Sequence, residues 1–346
     1  MRAASTDLLR TGAVALLGAG LFQWLATPLP WLLGPLFAVG GLRMAGVSLH
    51  SPMPVRNLGQ WVIGTALGLY FTPVVLSGMI SLWWSILLGL VFAWVLSLLF
   101  GEVLTRIAGL DPVTAFFSAT IGGASEMAVQ GERHGAQIET VVAIHTLRVM
   151  IVVVSLPFAY RWLDLQGTDA ALLSQQNVHV PGLLLLCLVT LIAALLVRRL
   201  GWPNAWMIGP LLATIAITGT GYNSSALPEL VLKLGQVFIG MSLGSRFRPE
   251  SLRVLRPILP IVIGSIGLLM AISAVFGTML GQLSGVPMAT MILATSPGGI
   301  AEMSLTAKLL RLGVPTVTVF HVTRLAFILL TVGPVWQWVS RRRGWQ

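Results

Sequence analysis

The sequence is short of charge: only 9% of its 346 residues are Asp, Glu, Lys or Arg, whereas 56% are apolar. A soluble domain carries about 25% charged side chains, so this chain lacks the polar cover for a water-facing surface. It holds one cysteine, Cys187, which excludes an internal disulfide and any multi-cysteine metal site. No polar stretch is long enough to fold as a separate soluble domain. The net charge of +10 comes from cations scattered through short loops, not from a stripe or a basic helix, so nucleic acid is not an expected partner. Positive short loops are what the cytoplasmic side of a membrane protein displays.

What the sequence has in abundance is long hydrophobic runs, many near or above the roughly 18 residues that cross a bilayer. They predict an all-α polytopic membrane protein. Arg2 and Arg10 precede an apolar run over 11–26 that has the look of a secretory signal. The corresponding segment later in the chain, 181–200, reads as an ordinary membrane helix, so the first segment is expected to be retained.

The chain repeats itself. Pro28, Trp31 and Gly34-Pro35 recur as Pro203, Trp206 and Gly209-Pro210, at an offset of 175. Leu58-Gly59-Gln60, Gly64 and Gly68 recur as Leu234-Gly235-Gln236, Gly240 and Gly244, at an offset of 176. At that same offset Gly122-Gly123 becomes Gly298-Gly299, Glu126-Met127 becomes Glu302-Met303, and His145 and Arg148 become His321 and Arg324. Two membrane repeats follow, 1–175 and 176–346. Each reads as six apolar segments, the fifth of which (112–131 and 287–307) starts after a proline, carries a glycine pair and buries a glutamate. Glycine pairs break helices. A broken or re-entrant element is tolerated at membrane depth only where protein or a water-filled cavity satisfies its backbone.

Loop charges orient the repeats. Six spans per half would put the cations at 198–199 and 246–256 outside, against the positive-inside rule. Five spans per half, with a fifth segment that enters and returns, put them inside, together with Arg43, Arg56, Arg106 and Arg341 to Arg343. The stretch 161–180, with Asp164 and Asp169, then lies outside, and only Lys308 and Arg311 are misplaced. The expectation is two inverted repeats, about ten spanning helices plus two broken or re-entrant segments, with both termini cytoplasmic.

The ionisable residues deep in apolar segments come mostly in pairs: Glu126 and Glu302, His145 and His321, Arg148 and Arg324. A charge at the bilayer centre costs roughly 2.5–3.5 kcal/mol on insertion scales, so something must offset it in each repeat. His145 and Arg148 are three apart and share a helix face, as do His321 and Arg324. On a structural reading, Arg148 pairs with Glu126 and Arg324 with Glu302, pinning the fifth segment to the sixth. On a functional reading, the same groups line a polar cavity. The arginine forks and the N–H groups of Gly122, Gly123, Gly298 and Gly299 would then meet an anion, while the glutamates and histidines carry a coupling proton. The two readings are compatible. The Gly64/Gly68 and Gly240/Gly244 spacings are of the kind that packs membrane helices. Gln60 and Gln236 are buried amides, either hydrogen-bonding glue or cavity lining. The glycine-rich runs lack the lysine and preceding strand of a nucleotide site.

Over nearly its whole length the sequence resembles the bacterial AbrB and AbrB-duplication membrane proteins. The carriers are Trp31 to Pro35, Trp206 to Pro210, the two L-G-Q motifs, the two G-G-x-x-E-M motifs and the two H-x-x-R pairs. The resemblance implies a bacterial inner-membrane protein. Family labels include a transcriptional regulator and an ammonia monooxygenase. This sequence shows no DNA-binding module outside the membrane and, with five scattered histidines, no copper constellation. More loosely, a glycine pair in a re-entrant segment of each inverted half is similar to the glutamate and 2-hydroxycarboxylate symporters, an analogy of architecture. The expected function is secondary transport of a small organic anion with protons or sodium, by a non-enzymatic protein that needs no cofactor or metal and is compatible with a homodimer. The alternative is a membrane-embedded sensor or regulator of gene expression.

Overall fold

A computed structural model describes residues 2–167, 177–222, 225–247 and 249–343. The expected repeat boundary at 175/176 lies outside the described residues, as do Asp169 and Arg248 of the loop-charge pattern. The described residues form helices and no strand: α1 (Arg2–Trp24), α2 (Pro30–Met44), α3 (Met53–Gly68), α4 (Pro73–Ile80), α5 (Trp83–Arg106), α6 (Pro112–Ala119), α7 (Ala124–Glu132) and α8 (Ile138–Trp162), then α9 (Val180–Arg199), α10 (Ala205–Thr218), α11 (Glu229–Gly244), α12 (Pro249–Leu255), α13 (Leu259–Ser284), α14 (Met288–Thr295), α15 (Ile300–Leu309) and α16 (Val314–Arg343).

Five of these helices, α5, α8, α9, α13 and α16, are long and apolar enough to cross a membrane. A sixth span is added if α3 and α4, bent by 85° at their junction, count as one. The expected count of about ten spanning helices is therefore not supported. For four of the helices that fall short the physical reason is length, whereas α1, with 23 residues, is long enough but not among the apolar spans. Helices α2, α3, α10 and α11 have 15, 16, 14 and 16 residues, and at 1.5 Å per residue they reach only about 21–24 Å, short of a hydrocarbon core about 30 Å thick. The long helices leave rows of apolar side chains uncovered, such as Leu184, Leu188, Leu195 and Leu196 on α9. Such a surface is stable against lipid tails and not against water, and the chain is a multi-pass membrane protein.

Two compact units form, and each takes elements from both repeats. The first comprises Met1–Ser81, Pro157–Pro249 and Ser304–Pro315; the second comprises Leu82–Leu156, Glu250–Met303 and Thr316–Gln346. In the first unit the short helices are held by glycines at close crossings. A Cβ at Gly64 would overlap the Met207 carbonyl oxygen, and one at Gly68 would lie 2.9 Å from that of Leu211. The contacts advance together, so α3 and α10 run in the same direction. In the other repeat Gly240 and Gly244 of α11 meet Leu32 and Leu36 of α2 in the same way. Helices α3 and α11, which occupy equivalent places in the repeats, cross antiparallel: Gly59 faces Phe238 and Ile239, while Gly235 faces Val62 and Ile63. Equivalent elements in this unit thus run in opposite directions. Helices α2 and α10 both begin on a residue forced into the left-handed region, Leu29 (φ 47°) and Asn204 (φ 49°). For leucine this conformation is strained.

The second unit holds the first broken segment and the break of the second, whose residues from Ser304 on belong to the first unit. Helix α5 packs on α6, and α13 packs on α14. Phe92 and Phe276 stack with centroids 3.9 Å apart, joining α5 to α13. The Trp94 indole N–H donates to Thr331 Oγ1 at 3.0 Å.

Candidate functional site

Each fifth segment is two half-helices separated by extended residues. In the first repeat α6 ends before Thr120 (ψ 128°) and α7 begins after Gly123. In the second, α14 ends before Ser296 (ψ 148°) and α15 begins at Ile300. Such a break leaves buried carbonyl groups at the end of one half-helix and N–H groups at the start of the next. Both need partners in a medium without water.

The carbonyl end is satisfied by the H-x-x-R pairs. On α8, His145 and Arg148 are 0% and 1% exposed. His145 Nε2 lies 2.9 Å from the Phe117 carbonyl oxygen. Arg148 donates to the carbonyls of Ala119 at 3.1 Å and Thr120 at 3.3 Å, and to His145 Nδ1 at 3.0 Å. A guanidinium only donates and a carbonyl only accepts. His145 is thereby held as the neutral tautomer that carries its proton on Nε2. On α16, His321 Nε2 lies 3.2 Å from the Leu293 carbonyl oxygen. Arg324 donates to the carbonyls of Ser296 at 2.6 Å and Gly298 at 2.7 Å. Phe117 and Leu293 are equivalent positions, as are Thr120 and Ser296, so the repeats use the same lock.

The halves differ in detail. His145 Nδ1 accepts from Arg148, whereas buried His321 Nδ1 has no hydrogen-bond partner. Among the described residues no ion pair joins Arg148 to Glu126 or Arg324 to Glu302. The pairing offered by the structural reading is replaced by arginine–carbonyl bonds, because the carbonyl ends of the half-helices lie closer at hand and carry the negative end of the dipole.

The N–H end accounts for the G-G-x-x-E-M spacing. The Glu126 carboxylate folds back over Gly123, and that of Glu302 over Gly299, so that a Cβ at either glycine would overlap it. The first glycine of each pair lies against methionine: a Cβ at Gly122 would sit 3.0 Å from Met127 Cε, and one at Gly298 2.6 Å from Met303 Sδ. Both methionines are fully buried. Each glutamate thus caps the positive end of its own half-helix, where a carboxylate is stabilised. Glu302 is buried, while Glu126 is half-buried.

The second unit therefore brings together Gly122, Gly123, Glu126, His145 and Arg148 with Gly298, Gly299, Glu302, His321 and Arg324. Gln60 and Gln236 are not among them. Both belong to the first unit, where Gln60 Nε2 donates to Asn204 Oδ1 at 3.1 Å and bonds the helix entry at that left-handed residue. Sequence reasoning missed Ser97, whose Oγ accepts the Ile121 N–H at 3.0 Å inside the first break. Its repeat mate Ser273 offers a carbonyl to Thr295 Oγ1 at 3.2 Å. The signal was available, as two serines 176 apart in apolar runs. A cavity of about 10 Å³ bordered by Gly89, Thr295, Phe320 and Arg324 has room for about one water, not for an organic anion. Among the described residues no group of three or more His, Cys, Asp or Glu is placed to hold a metal ion.

The chain is similar to two curated bacterial proteins along almost its whole length. It is 26% identical to the uncharacterized protein YhjN of Bacillus subtilis (strain 168), over 96% of this chain and 93% of that one. It is 28% identical to a protein of Escherichia coli (strain K12) provisionally named as the regulator AbrB, over 90% of each. The family model described as "Transition state regulatory protein AbrB" matches residues 31–340, and the chain belongs to the AbrB family.

Proposed function

We propose that the protein is a secondary transporter that moves a small organic anion by alternating access, coupled to protons or sodium. The observation that carries this reading is the doubled half-site. Two helix breaks, each with a glutamate folded over the glycine at the start of its second half-helix, share one compact unit with two buried arginines. Two like charges at membrane depth are costly, and an anion between them would offset that cost. Both arginines are already bonded to carbonyls, so they contribute field more than a direct fork. The anion would be held by the N–H groups around Gly123 and Gly299, displacing the glutamates, which take up the coupling ion. The antiparallel crossing of equivalent helices supports inverted repeats. The chain would then lie in the inner membrane with both termini cytoplasmic and function without catalytic chemistry.

Purified protein in liposomes tests this against a panel of amino acids and carboxylates. Gradient-driven uptake of at least one anion, reduced tenfold or more by Glu126→Gln or Glu302→Gln, is expected. No flux and no thermal stabilisation by any member of the panel would overturn it. A second reading is favoured by the family description and by the name of the Escherichia coli relative: a membrane-embedded regulator of gene expression that does not transport. A stable protein partner captured on the loops, together with absent flux, would select it.

A further inference from the structure

The ends of α5 and α16 meet in a feature that the transport reading leaves unused. Arg343 in the last turn of α16 reaches Glu102 near the end of α5, and Glu102 also pairs with Arg106. The guanidinium of Arg342 lies over the Trp338 ring, 4.4 Å from its centroid. Two arginines thus hold one carboxylate and a third lies over the tryptophan, leaving the rim net positive. Below the rim opens a groove of about 350 Å³, within the range of about 300–1,000 Å³ typical of ligand sites. Its walls are Leu98, Gly101, Pro112, Phe116 and Val339. From Thr105 to Leu98 the groove descends seven residues of α5, about 10 Å along the helix axis.

A basic rim at a helix end, a tryptophan beside it and an apolar slot running towards the bilayer core together match one occupant. We propose that this groove binds a phospholipid with an anionic headgroup, its phosphate at Arg106, Arg342 and Arg343 and one acyl chain in the slot. A free phosphate would have no use for the apolar walls, and a zwitterionic lipid would gain little from the excess of cations. Gly101 keeps the slot open: a Cβ there meets nothing nearer than Ala119 Cβ at 3.6 Å, so only a larger side chain would fill it. The site is independent of the transport reading.

The test uses the full chain in mild detergent, with native mass spectrometry and thermal unfolding as readouts. The probes are dioleoyl phosphatidylglycerol, dioleoyl phosphatidylcholine and glycerol 3-phosphate. Phosphatidylglycerol is expected to be retained and to raise the melting temperature, and the other two are not. Arg342→Gln and Arg343→Gln should each weaken retention about fivefold, the effect of one surface cation on an anionic lipid. Gly101→Leu should weaken it with the rim charges intact. Both arginines are exposed, so these variants are expected to fold as wild type, and their lipid-free melting temperatures check it. Equal retention of the two phospholipids, wild-type retention by the double arginine variant, or equal binding of glycerol 3-phosphate would each overturn the proposal.

Discussion

Replacing Arg324 by methionine removes every donor while keeping a long flexible side chain. The carbonyls of Ser296 and Gly298, now bonded at 2.6 and 2.7 Å, would lose their partner in a site where Arg324 itself is only 7% exposed. A buried acceptor left unsatisfied costs about 1–3 kcal/mol, so two of them cost about 2–6 kcal/mol. Relief from burying a charge offsets part of this. At about 2 °C per kcal/mol for a chain of this size, the ligand-free melting temperature should fall by about 4 °C or more. Thermal unfolding of purified protein in detergent, followed by tryptophan fluorescence, reads it. Arg148→Met should fall further, because the Ala119 and Thr120 carbonyls and His145 Nδ1 all lose a donor. Arg324→Lys should fall in between, since an ammonium keeps the charge but not the planar fork. If Arg324→Met melts with wild type in the absence of ligand, the carbonyl lock is refuted and the arginine acts only on a ligand.

Gly299→Ala should leave the melting temperature within about 2 °C of wild type but displace the Glu302 carboxylate, because the overlap falls on the end of a flexible side chain; loss of anion uptake with normal unfolding checks this. Gly240→Val, by contrast, drives a side chain into the Leu32 backbone and should cost about 3 kcal/mol or more. The exposed Gly264→Ala, with no atom within 4 Å, should be neutral or stabilising by up to about 1 kcal/mol; comparison of folded yield and melting temperature separates the pair. Gln60→Leu should cost about 1 kcal/mol through its lost bond to Asn204 while leaving ligand-induced stabilisation unchanged, and a thermal shift with and without anion measures both.

The duplication, the membrane setting, the breaks at Gly122-Gly123 and Gly298-Gly299, and the shared helix face of His145 with Arg148 and of His321 with Arg324 were all legible in the sequence. Each rests on local or periodic information: apolar run length, an offset of 175 or 176, and the three-residue spacing that places two side chains on one helix face. Span number was not legible, because composition marks a run as apolar without telling where proline and a left-handed residue cut it short. The partners of the arginines were not legible either. Opposite charges in the sequence suggested carboxylates, but the acceptors are backbone carbonyls, which every residue carries and no sequence pattern marks. Only tertiary structure decided that the glutamates turn back over their own glycines. Only tertiary structure placed Gln60 and Gln236 in one unit and the titratable pairs in the other. The repeat proved to be a unit of sequence, not of packing: short helices cannot bury their faces alone, so each compact unit draws elements from both copies.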